Sequence, residues 1–243
     1  MEITNRQKDI LHAIITEFIE TAQPVGSNLL NEKYAIDASP ATIRYEMVRL
    51  ADEGFLSKSH SSSGRIPTVL GYRFYLQDLM VEDEINYLTE IRINHELAQL
   101  RFQRDKLIRG IISLLADLTK YSAVIVTQDG MFYSGLYNLL EYPEFEDRDL
   151  FKNILIAFDD LSTLMNVFTK TYTDTRVKVA IGDEFDDVML RECAIVFTEI
   201  HLYSGERAIM AVIGPKRMSF AYILPLIRTT SEIIDRLVLG WEL

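Results

Sequence analysis

Ser39-Pro40 fixes one point of this chain more firmly than any other pair of residues: a helix starts there. Serine is a preferred N-cap, and proline at the first helical position sacrifices nothing, since its missing N–H would have no intrahelical partner. The run PATIRYEMVRLADE then continues without a breaker to Gly54, a natural stop. On a wheel of about 100° per residue, Ile43, Met47 and Leu50 share one side, which is the buried stripe. Ala41, Thr42, Tyr45, Arg49 and Asp52 point the other way, with Arg44 on the flank.

The neighbours of this helix give it a setting. Residues 4–22 carry Ile10, Leu11, Ile14, Ile15, Phe18 and Ile19 at three- and four-residue steps, an amphipathic helix with Thr4 as N-cap and Gln7 at the third helical position. Pro24 and Gly26 end it. Ser27 can cap a short second helix, and 35–38 form a turn. After Gly54 come two strand-like pieces, Phe55–Ser59 and Arg65–Thr68, around the tip SSSG. Three helices followed by a small hairpin is the layout of a winged helix-turn-helix, here residues 1–80.

Such a unit lays its third helix in a DNA major groove. Thr42 is small enough for close approach, Tyr45 and Arg49 can donate to bases or phosphates, and Arg44 suits a phosphate. Ser39 opens the same surface. The wing offers Lys58, His60, Ser61, Ser62, Ser63 and Arg65; serine hydroxyls suit phosphate oxygens, and Arg65 could enter a minor groove. Each residue alone also fits a solvated surface. The reading rests on one predicted face collecting all of them.

Charge bears on this only when the chain is divided. The net charge is −11, yet residues 1–80 hold 8 Lys+Arg against 10 Asp+Glu, and the remainder holds 17 against 26. The acidity therefore lies mostly outside the first third, and from Pro40 to Tyr75 the balance is positive.

Beyond the wing, Tyr72, Phe74 and Tyr75 are expected against its base. Residues 83–119 read as one long helix, a linker over 81–120. Leu107, Ile111, Leu114 and Leu118 follow heptad spacing within it, either as a dimer seam or as packing on the chain's own C-terminal domain. From 121 to 243 the pattern is mixed α/β: SAVIVT and MFYS flank an Asp-Gly turn, 147–158 and 160–171 look helical, and Val177–Ile181, Ala194–Leu202 and Arg207–Ile213 look like strands. A helix follows about Ser219, disturbed or begun near Pro225. The expected class is α+β.

No apolar run approaches the ~18 residues of a bilayer-crossing helix, and the polar N-terminus lacks a signal core. One cysteine, Cys193, suits a reducing, cytoplasmic setting. His12, His60, His95 and His201 have no metal-ligand spacing. Asp183, Glu184, Asp186 and Asp187 read as a solvated loop. No Gly-rich phosphate loop or nucleophile arrangement stands out, so neither an enzyme nor a cofactor is expected.

The runs PVGSNLL, SPATIRYEMVRLADEGFL and HSSSGRIPTVLGYRFY closely resemble the heat-inducible transcription repressor HrcA family of bacteria, and GLYNLLEYPEF and IGPKRM follow in the right order. The resemblance implies a homodimeric repressor of chaperone genes on an inverted-repeat operator, reactivated by the chaperonin, with a recognition helix at Ser39–Glu53, a wing at Phe55–Thr68 and a GAF-like regulatory part. Relatives commonly have Asn where this chain has Tyr45. They are also longer, with an inserted dimerising domain where only a short hairpin fits here between Tyr121 and Gly135, so the regulatory domain is truncated. Two other readings stand beside this one. The C-terminal domain could sense a small molecule or a protein, or marginal stability could make temperature itself the signal.

Overall fold

The computed structural model describes residues 3–34, 36–58, 64–171, 175–185 and 188–239. They divide into two compact units, one ending at Val81 and one beginning at Glu82.

In the first unit, helix α1 (Asn5–Thr21) opens with a capping box: Thr4 accepts from the Gln7 N–H, and the Gln7 side chain accepts from the Thr4 N–H. Ala22 closes α1 in the left-handed region. Helix α2 (Ser27–Lys33) begins one residue earlier in role than expected: Gly26 occupies the cap position and Ser27 is already helical. Helix α3 (Pro40–Asp52) starts as the sequence indicates, with the Ser39 hydroxyl accepting from the Thr42 N–H at 3.2 Å. Strands β1 (Leu56–Lys58) and β2 (Arg65–Pro67) pair antiparallel, and an isolated bridge adds Val25 to β2 beside Arg65. Ile10, Leu11, Ile14, Leu30, Ile43, Leu50 and Leu56 form the core between these elements.

The hairpin base is locked by Thr68, whose hydroxyl lies 2.6 Å from the Gly54 carbonyl and 3.1 Å from that of Phe55, and accepts from the Gly71 N–H. Helix α4 (Val69–Phe74) passes so close that a Cβ on Gly71 would stand 2.3 Å from the Phe55 carbonyl oxygen, so only glycine fits. Phe74 meets Phe55 edge-on, and Tyr72 and Tyr75 are buried, as expected of this aromatic run.

A short ion pair in this unit ends on the buried carboxylate of Glu17. Lys33 Nζ lies 2.6 Å from Glu17 Oε2, and the Tyr34 hydroxyl donates to the same oxygen at 3.0 Å. The Lys33 ammonium holds the Glu17 carboxyl below its usual range against the opposing effect of burial, while burial pushes the Tyr34 hydroxyl up to about 12. A depressed carboxyl contributes stability that is whole above its unfolded pKa and drains away as pH falls through the folded value. Lys33→Met should therefore lower the urea midpoint at neutral pH, with the gap to the native chain narrowing below about pH 4.5. A gap that stays constant with pH would show that Lys33 acts by packing alone.

The second unit is a five-stranded antiparallel sheet covered on both faces. Its strands are β3 (Ser122–Thr127), β4 (Gly130–Ser134), β5 (Lys178–Ile181), β6 (Cys193–His201) and β7 (Arg207–Pro215), in the spatial order β4-β3-β7-β6-β5. Helices α7 (Arg148–Asp159) and α8 (Leu161–Lys170) cover one face, packing Ile154, Phe158, Leu164 and Phe168 onto Val124, Ile195, Phe197 and Ala211. On the other face α6 (Arg104–Thr119) packs on β3 and β4, and α9 (Phe220–Leu239) on β6. Double coverage explains why β3 reads as unbroken SAVIVT, buried at every position. The β3–β4 turn residues are Gln128 and Asp129, and Gly130 opens β4 at φ 141.

The single helix expected over 83–119 is two helices, α5 (Tyr87–Ala98) and α6, broken at 99–103. Both pack within the second unit, α5 against α6 and α9. Pro225 lies inside α9 and has no N–H to offer the Ala221 carbonyl; the Asp83 N–H takes that place at 2.9 Å. A paired Glu82–Arg228 contact, at 2.6 and 2.8 Å, fixes the same segment to α9.

Candidate nucleic-acid interface

Helix α3 turns Ile43, Met47 and Leu50 inward, as its periodicity requires, and also buries Glu46. The expected outward residues lie where the wheel puts them: Ser39, Arg44, Tyr45 and Arg49 are exposed and Thr42 is half-buried, with Tyr45 exposed to 62%. The Ser39 and Thr42 hydroxyls lie 2.9 Å apart, so the first turn of α3 is tied to its cap. Arg49 leans back toward Glu46, Nη1 to Oε2 3.8 Å, its one ion pair among the described residues. Glu46 is buried but Arg49 is open to solvent, and at 3.8 Å the pair leaves the guanidinium available.

Lys58 ends β1 and is exposed. His60, Ser61, Ser62 and Ser63 lie outside the described residues. Arg65 is placed differently from the expectation. Only 9% of it is exposed, and its backbone N–H and carbonyl both bond to Val25 at 2.9 Å. The strand turns Arg65 inward and leaves Ile66 half-exposed, so Arg65 does not stand out toward a minor groove.

Arg65 instead lines a cleft of about 480 Å³ between α2, α3 and the hairpin. Arg44 and Lys58 line it too, with Met47 and Val48 as apolar wall and Ser27 and Asn28 from the start of α2. Three cations therefore meet in one cavity, and no carboxylate occurs among the described residues that line it. Ser27 and Asn28 gave no signal in the sequence beyond their place in a short helix; only the tertiary fold brings them beside Arg44.

The leucine seam expected at 107–118 is answered by the second unit alone. Leu107, Ile111 and Leu114 are buried within a single chain and Leu118 is half-buried, so these side chains pack on the chain's own sheet. Cys193 is fully buried, which pushes its thiol far above the usual range and leaves it inert. Asp183 pairs with Arg191 at 2.6 Å, and Glu184 accepts from the Ile181 N–H; Asp186 and Asp187 lie outside the described residues. Among the described residues no metal-ligating group of three occurs, and no helix is long and apolar enough to cross a membrane. A second cavity, about 290 Å³, opens where β3, β7 and α8 meet, lined by Val126, Leu161, Met165 and Ile209. The charged groups lining it, Glu199 and Arg207, face each other at 3.7 Å.

Residues 72–224 match the family model described as the HrcA protein C-terminal domain. A heat-inducible transcription repressor HrcA from Pelotomaculum thermopropionicum is 23% identical over 345 residues, covering 99% of this chain and 99% of that protein. One of the same description from Syntrophobacter fumaroxidans is 25% identical over 340 residues, covering 98% of each. Alignments of that length against 243 residues mean that those relatives carry stretches with no counterpart here. A crystal structure described only as a hypothetical protein superposes with a TM-score of 0.73 at 19% identity, over 97% of this chain and 98% of that one, a likeness of fold.

Proposed function

We propose a function from one premise: this chain belongs to the HrcA family, whose relatives are heat-inducible transcription repressors and not enzymes. The chain is a sequence-specific repressor whose first unit acts as a winged helix-turn-helix. Helix α3 lies in a major groove of an inverted-repeat operator, with Thr42, Tyr45 and Arg49 toward base edges and Arg44 and Lys58 toward phosphates. The protein acts as a homodimer, because one such unit grips few bases and an inverted repeat mirrors a two-fold axis. Chaperone genes are its targets, and the second unit is the GAF-like regulatory part through which chaperonin acts.

The observation that carries this reading is the outward face of α3. A tyrosine exposed to 62% stands one turn from an exposed arginine, on a helix held rigidly by its own cap and core. Neither side chain belongs to the core, and both are donors that base edges and phosphates accept. The deciding experiment is a gel shift with an inverted-repeat duplex and its scrambled control, beside a mass measurement of the complex. The expected result is two chains per inverted repeat and no discrete complex with the scrambled duplex at moderate salt. Equal affinity for both duplexes would end the sequence-specific reading, and a complex with one chain would end the homodimer.

A further inference from the structure

We infer that the cleft between α2, α3 and the hairpin is a binding site for a single phosphate group, built by Ser27, Asn28, Arg44 and Lys58 over a fixed Arg65. In DNA the phosphate is a backbone phosphodiester flanking the groove that α3 enters, which rests on the proposed function; the same chemistry is found in free polyphosphate.

The charge pattern carries the inference. The chain has 36 acidic residues and 25 basic ones, and most of its arginines have found carboxylates: Arg104 with Glu206, Arg217 with Glu144, Arg228 with Glu82. Arg44 and Lys58 have no ion-pair partner among the described residues, yet they line the same cavity as Arg65. Arg44 and Lys58 are like charges that repel one another in one cleft, and neither has a carboxylate partner among the described residues to offset that repulsion. An anion does, and the apolar walls Met47 and Val48 strengthen its attraction by displacing water.

The donor set suits phosphate. Arg44 offers a planar fork for two oxygens, and Lys58 a compact charge. The Ser27 hydroxyl and Asn28 amide add neutral donors from the start of α2. Arg65 differs from both cations: it is nine-tenths buried on a strand bonded to Val25 on one side and β1 on the other, so its charge stays under the cleft. A volume of about 480 Å³ holds the phosphate together with part of an attached sugar.

The test uses the full chain and two probes, sodium tripolyphosphate and a labelled inverted-repeat duplex. Asn28→Asp places a carboxylate in the cleft without changing its shape, at an exposed position where the fold tolerates it. Lys58→Gln removes a cation, and Lys152→Gln, on the exposed side of α7, removes one elsewhere. Tripolyphosphate at fixed ionic strength should raise the melting temperature of the native chain and of Lys152→Gln, but not that of Asn28→Asp. Asn28→Asp should lose roughly tenfold in duplex affinity, and Lys58→Gln should lower the salt slope by about one. Tripolyphosphate stabilising the native chain and Asn28→Asp equally, or neither, overturns the site. Duplex binding unchanged in Asn28→Asp and Lys58→Gln overturns the site as one for a DNA phosphate, while leaving the repressor reading intact. Tripolyphosphate binding lost in Asn28→Asp, with no duplex bound by any form, supports the site as one for free phosphate and ends the repressor reading instead.

Discussion

Replacing Arg217 by alanine is expected to weaken the second unit by about 3 kcal/mol, the cost of leaving one member of a buried ion pair alone. Only 9% of the Arg217 side chain and 20% of Glu144 is exposed. The guanidinium donates from both Nε and Nη2 to the Glu144 carboxylate, the second at 3.2 Å, and its centre lies 5.6 Å from the Tyr142 ring centroid. Around this pair the chain after β4 folds back over α6 and β3. Asn138 donates to the Ala116 and Tyr121 carbonyls at 3.2 and 3.0 Å, and the Tyr142 hydroxyl donates to the Lys120 carbonyl at 3.2 Å. Gly135 sits at φ +73, where a Cβ would stand 2.6 Å from that of Ala116. On the other side, a Cβ on Gly214 would press into the Tyr121 ring at 2.8 Å. Urea unfolding followed by far-UV circular dichroism checks the prediction. Glu144→Gln combined with Arg217→Met, which removes both charges and keeps the volume, should recover part of the loss. A cost for Arg217→Ala below about 1 kcal/mol, the range of a surface pair, would show that water reaches and screens this one.

The same clamp explains two runs that the sequence singled out without a role. GLYNLLEYPEF and IGPKRM lie far apart in the chain, and the fold brings Tyr142 and Glu144 of the first against Arg217 of the second. They hold a return turn to the end of a strand. Other features were legible because local rules alone decide them: the Thr4–Gln7 box, the Ser39-Pro40 start, and β3, whose two-sided burial leaves no exposed position to alternate.

Where sequence and fold part, two structures share one pattern. The 107–118 leucines fit a heptad seam and a sheet-facing stripe equally well, since both need one apolar side. The break at 99–103 has no proline or glycine of its own; its mark is Gly110, one helix later, where a Cβ would meet Leu100 Cδ1 at 2.4 Å. Arg65 and Ile66 invert the usual order of polarity on β2, because the strand's alternation is set by its pairing with β1 and not by composition.

Tyr45→Ala together with Arg49→Gln is expected to abolish discrimination between operator and scrambled duplex while leaving the fold intact. Each well-made interaction with a base edge is worth about 1–3 kcal/mol, and a two-fold complex carries each substitution twice. With both side chains changed in both half-sites, the combined penalty covers the roughly 10³-fold lower bound that separates specific from non-specific binding. Stability should move by less than about 1 kcal/mol, because neither side chain belongs to the core and Arg49 meets Glu46 only at 3.8 Å. Glutamine serves better than alanine at position 49: Glu46 is buried, and a donor retained near the 3.8 Å position still faces its carboxylate. Non-specific affinity should fall less than operator affinity, since Arg44 and Lys58 remain to meet phosphates. The measurement is a competition titration of both duplexes at two salt concentrations, beside circular dichroism. If the double variant still prefers the operator by its original ratio, α3 does not present the reading face, and the repressor's specificity must reside in another surface.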